Sequence, residues 1–134
     1  MNKNINYFNL KNYNFDKKIV KLNRENDEGN IEYKWKFNEK KINNNKIEKL
    51  VSQMRYRIME GNGGAFYYIG VKDNGNCDGI EWDDLLYTLE IIQIVSNKLC
   101  ANIEKINLNK QDNNRYCGLI YIIKDDLINT SMFD

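Results

Sequence analysis

Asn109-Lys110-Gln111-Asp112 has the form NKxD, in which the aspartate pairs with a guanine ring. Nucleotide binding of that kind also needs a phosphate cradle, and no GxxxxGK followed by Ser or Thr occurs in the chain. The glycine cluster Gly61 to Gly64 comes after a helical pattern and has no Lys-Ser or Lys-Thr behind it. In a chain rich in Asn and Lys the tetrapeptide is expected as a hairpin turn. Asn74-x-Asn76-x-Asp78-Gly79 has the spacing of the first half of a calcium loop. The twelfth position should be a bidentate glutamate and is Leu85, so an Asx-rich turn is the expectation. Asp83-Asp84 and Asp125-Asp126 could serve acid–base chemistry only with a partner, and the sequence has no histidine. They read as a helix start and a surface turn. Cys77, Cys100 and Cys117 lack metal spacing. Cys100 and Cys117 stand in apolar context and are expected in the core, whereas Cys77 lies in a turn and is expected at the surface.

The remaining constellation is basic and aromatic. Arg55-Tyr56-Arg57 follows Lys46 and Lys49 on one predicted helix, with Lys41 further upstream. Cations beside an aromatic ring can hold phosphate while a base stacks on the ring. The competing reading is a solvated helix face, because Glu48 and Glu60 dilute the charge.

The composition narrows the classes. At 134 residues the chain is expected to be one domain. It is long enough to bury roughly two-thirds of its unfolded surface without staples. A net charge of +1 creates no global field for nucleic acid or anionic membranes, so such binding would need a local patch. No apolar run approaches the ~18 residues of a membrane span, and the Asn-rich, aromatic N-terminus lacks the apolar core of a signal peptide. An odd number of widely spaced cysteines fits a reducing, cytoplasmic setting. The absence of proline and the abundance of Asn, Lys and Ile read as A/T-rich coding bias rather than chemistry.

Periodicity supplies the elements. Residues 1–27 carry Ile5, Tyr7, Phe8, Leu10, Tyr13 and Phe15 in a polar background, a loose extension or an added edge strand. Ile31, Tyr33, Trp35 and Phe37 alternate with Glu32, Lys34 and Lys36, which predicts a strand with the first set buried. Ile47, Leu50, Val51, Met54 and Ile58 recur at helical spacing, with Lys46, Lys49, Gln53 and Arg57 off that stripe. Glu60-Gly61-Asn62-Gly63-Gly64 ends the helix. Ala65 to Val71 is a continuous apolar and aromatic run, expected as a central strand. After the turn Lys72–Gly79, a second helix runs from about Trp82 to Cys100 on Leu85, Leu86, Leu89, Ile92, Val95 and Leu99. Ile103–Leu108 and Tyr116–Ile123 follow as two strands. The order β-α-β-α-β-β predicts an α+β, two-layer sandwich: two helices on one face of a mixed four-stranded sheet.

Two segments carry a resemblance. Glu28-Gly29-Asn30-Ile31-Glu32-Tyr33-Lys34 and the stretch from Leu50 through Gly75, LVSQMRYRIMEGNGGAFYYIGVKDNG, resemble the N-terminal domain of the elongation-factor-like GTPases called the GTP-binding protein one and two family. There an EGN-Ile/Val-EYK strand precedes a helix ending in EGxGEA, then Y-x-IGVxDNG, then a Gly-hydrophobic pair. The counterparts are Glu60 to Ala65, Tyr67 to Gly75, and Gly79-Ile80. The family's two glutamates are Gly64 and Tyr68 here, and its Ser-like cap before the second helix is Glu81. The element order is also similar to the C-terminal domain of bacterial translation initiation factor three.

The resemblance implies a parent protein in which a GTPase domain and β-barrels follow, with GTP and magnesium bound there and a role in translation or in ribosome or mRNA quality control. In this chain neither cofactor is expected. The expectation is a non-catalytic module: extension 1–27, domain 28–128, tail 129–134. It would dock to the ribosome, to RNA or to the GTPase body, with Lys46, Lys49, Arg55, Tyr56 and Arg57 as RNA contacts. The alternatives are a free-standing RNA- or ribosome-binding protein and a protein-interaction module using an aromatic strip or sheet edge. No membrane, metal or small-molecule substrate is expected.

Overall fold

A strand, a helix and a second strand in close succession can only bring the strands together parallel, because the helix returns the chain to its starting end. That is how the sheet begins. The computed structural model describes residues 15–37 and 42–124. The elements are β1 (Ile31–Lys34), α1 (Asn44–Glu60), β2 (Gly64–Ile69), α2 (Trp82–Lys98), β3 (Asn102–Lys110) and β4 (Tyr116–Ile123). β1 pairs parallel with β2, and β4 is antiparallel to both β2 and β3, giving the order β1-β2-β4-β3. The mixed α+β sandwich is the expected one.

The apolar stripes of both helices meet one face of the sheet. Leu50, Met54 and Ile58 of α1 and Leu85, Leu89 and Ile92 of α2 share a core with Ala65, Tyr67, Ile69, Ile120 and Ile122. Asn43 caps α1, its Oδ1 accepting from Lys46 N at 2.8 Å. The helix ends at Gly61, where a Cβ would stand 1.9 Å from Gly64 O, and the next residue, Asn62, turns to φ 54°. Before α2, Glu81 makes no capping bond with its side chain and pairs instead with Arg115 at 3.3 Å. Asp83 and Asp84 occupy the first turn, where the helix dipole favours negative charge.

β1 departs from its alternation. The strand stops at Lys34, and its faces are opposite to those expected: Ile31 is 42% exposed and Glu32 only 4%. The parallel register sets Glu32 beside Tyr67, on the helix face. Tyr33 is buried on the other face with Val71, Cys77 and Cys117. Only beyond the strand does Phe37 turn into the helical core.

That second cluster is roofed by residues 15–27, an extended strap joined to the domain by isolated bridges rather than a strand or a loose tail. Phe15 starts it, packed against Trp82 and Tyr116 at ring distances of 6.1 and 5.3 Å. The NKxD residues clasp it next. Asn109 Nδ2 donates to Lys17 O at 2.6 Å, and Gln111 Nε2 donates to both Ile19 O and Cys77 O. Asp112 pairs with Lys18 at 2.6 Å. The strap explains why the cysteine expectations fail in two places: it covers Cys77, while Cys100, at φ 55° past the end of α2, is exposed. Cys117 is buried as expected, and the surrounding apolar groups push its thiol up to about 12. The turn after β2 is Asx-rich as expected, with Asn74 Oδ1 accepting from Asn76 N at 2.9 Å. Expectations for residues 1–14, Lys41, Asp125-Asp126 and the tail 129–134 lie outside the described residues.

Candidate docking surfaces

The five predicted contact residues do not form one surface. Lys46, Lys49 and Arg55 are exposed and Tyr56 is 42% exposed, as expected. At 100° per residue, however, Arg55 points about 100° away from Tyr56 and farther still from Lys49. Arg57 corrects the prediction outright: it is 3% exposed. Its Nε donates to Glu32 Oε1 at 2.9 Å, Nη1 to Gly29 O at 2.9 Å and Nη2 to Asn26 O at 2.9 Å. The guanidinium closes the contact between α1, β1 and the strap and has no reach left for phosphate. A signal was available in the sequence: Arg57 stands three residues after Met54 and seven after Leu50, on the spacing of the apolar stripe itself.

Around this ion pair the titrations are displaced. Glu25 of the strap lies 3.9 Å from Arg57 Nη2, and its carboxylate accepts from Tyr33 N. Burial, with nearby Glu32 and Asp73, raises it to about 7. Burial also holds the Lys34 ammonium below its usual range, against the pull of Glu32. The adjoining cavity, lined by Lys34, Met54 and Tyr67 among apolar side chains, measures about 10 Å³ and is too small for a substrate. Among the described residues no group of three or more His, Cys, Asp or Glu is placed to hold a metal ion. No helix there is long and apolar enough to cross a membrane.

The outer face of the sheet offers what α1 does not, a contiguous surface. Phe66 of β2 stacks on Tyr121 of β4, with ring centroids 4.6 Å apart and planes at 21°. Tyr68 meets Tyr33 edge-on at 5.8 Å. Phe66, Tyr68, Leu119 and Tyr121 are half-buried, and Ile31 is exposed beside them. Gly64 makes room for the stack, since a Cβ there would come within 2.8 Å of the Tyr121 hydroxyl. Lys105, opposite Tyr121, is an exposed cation at its rim. The strap covers this face at the Tyr33–Cys117 end.

Sequence comparison connects these features to known proteins. GTP-binding protein 2 of mouse and of human are each 35% identical to this chain over 88 residues, 64% of its length. The chain is related to part of a GTP-binding protein. The match covers 14% of those relatives, so most of each lies outside it. No family model matches the chain, and no solved structure does.

Proposed function

We propose that this chain is a non-catalytic docking module of a GTP-binding protein of the translational type, equivalent to its N-terminal domain, and that its outer sheet face seats on the GTPase body. One observation carries the reading: the helices cover one face of the sheet, while the other presents Ile31, Phe66, Tyr68, Leu119 and Tyr121 together. Such a face is of the kind that exposed apolar surface marks as an interaction site. The size of the relatives supports the choice of occupant, because 86% of their length (100% less the 14% matched) lies beyond the aligned part. RNA docking through α1 has less support, since Arg55 points away from the face shared by Lys46, Lys49 and Tyr56 and Arg57 is committed internally. Three free thiols fit a reducing, cytoplasmic setting.

A photo-crosslinking residue at Ile31, in the protein expressed in its own cells, tests this. Crosslinks to peptides of a GTPase domain, in the same chain or a partner, are expected from position 31 and not from a control at exposed Glu90. Crosslinks confined to ribosomal protein or RNA, or equal at both positions, would overturn it.

A further inference from the structure

A second surface lies where the strap meets the turn after β2. Arg24, Trp35, Lys72, Asp73 and Asn74 line an open cleft of about 440 Å³. Trp35 is half-buried against the core, which fixes the ring. The Lys72 ammonium rests 5.0 Å from the centroid of that ring. Arg24 lines the same cleft from the strap, whose backbone is fixed on either side of it: Leu22 N donates to Gly75 O at 3.0 Å and Glu25 N to Asp73 O at 2.8 Å. Two cations from separate segments therefore share one cleft with an anchored indole.

We propose that this cleft binds single-stranded RNA, with a base stacked on Trp35 and the flanking phosphates on Arg24 and Lys72. Lys72 is the movable part. Its side chain is 48% exposed, and its 3.1 Å ion pair with the half-exposed Asp78 is a surface pair of little strength. An exposed ammonium over a ring is also held more weakly than a stacked base. A base can thus displace the ammonium from the indole, and the freed cation can turn to the adjoining phosphate. Asp73 opposes anions at the same place, which favours a strand able to direct its phosphates to Arg24 and Lys72 over a lone, highly charged nucleotide. This surface shares no residue with the sheet face, so either proposal can fail without the other.

The test is fluorescence anisotropy of the full chain with a labelled, unpaired ribo-oligonucleotide of about 12 nucleotides at low salt. Saturable binding is expected, weakened about tenfold or more in Arg24→Glu/Lys72→Glu, with the salt slope reduced by roughly 0.7 for each phosphate that is no longer neutralised. Both substituted residues are exposed, and circular dichroism would verify the fold. In Trp82→Phe, where Trp35 is the remaining indole, the same oligonucleotide should quench its emission. Three results would overturn the proposal: no saturable binding, unchanged affinity in the double variant, or AMP binding as tightly as the oligonucleotide. The last would make the cleft a mononucleotide pocket.

Discussion

Arg57 shows how much one side chain can organise here. A guanidinium presents five donors in a rigid plane, and this one reaches a carboxylate and two backbone carbonyls contributed by β1 and the strap's end. Lysine could not replace it, because a single ammonium cannot span three acceptors set apart in this way. Arg57→Met leaves the buried Glu32 with only the more distant Lys34 ammonium, 3.7 Å from its other oxygen, as counter-charge, and the expected loss in urea unfolding is at most about 3–5 kcal/mol. Adding Glu32→Met removes the under-compensated carboxylate and should restore most of that stability. If the double variant is no more stable than the single one, the ion pair is not what Arg57 contributes. The neighbouring Asn30 and Gly29 work to the same end. Asn30 Nδ2 donates to Gly64 O at 3.1 Å, and Gly29 N to Glu60 Oε1 at 3.2 Å, so the Glu28–Lys34 motif staples β1 to the end of α1 and the start of β2.

At the scale of elements, the strap and the turn after β2 depend on each other. Gly75 has φ 93°, and a Cβ there would stand 2.0 Å from Leu22 O. Only glycine admits both the conformation and the approach. Gly75→Ala should therefore lift the strap locally, at about 1–3 kcal/mol, while the helices and sheet persist. Limited proteolysis reads this directly. Cleavage within residues 15–27 should become much faster than in the parent protein, with the 28–124 part surviving. Cleavage that accelerates everywhere at once would mean the turn supports the whole fold and not the strap alone. The helix stop at Gly61 is a similar case, legible in the sequence as a glycine cluster but dictated by the nearness of Gly64 O.

For the whole molecule, the buried charges predict a dependence on pH. Glu25 is raised from 4.5 to about 7, chiefly by burial and then by Glu32 and Asp73. Between those values the folded chain keeps a proton that the unfolded chain has released. Stability from this group is thus complete below about 4.5 and is lost as the pH rises through about 7. Melting temperatures should fall across that window, and Glu25→Gln, which can still accept from Tyr33 N, should flatten the fall. An unchanged slope in the variant would assign the pH dependence elsewhere. Because Glu25 lies next to Arg24 on the strap, raising the pH should also loosen the side of the cleft that Arg24 occupies.

The sequence by itself determined the order of the elements, the helix stripes and the mixed sandwich. These follow from periodicity and turn chemistry within a few residues, where backbone geometry leaves few choices. It also set Lys46 and Lys49 off the apolar stripe, where polar residues face water, and they are exposed; Arg57, set there too, is buried. Tertiary structure alone decided which way β1 faces, what Arg57 pairs with, which cysteines are covered and what the NKxD residues hold. Each of these depends on a partner distant in the chain: Glu32 on Arg57, Tyr33 and Cys77 on the strap, Asn109 and Gln111 on residues 17–19. A short alternating strand at a sheet edge can bury either set of side chains, and the choice falls to whichever face receives the compensating charge.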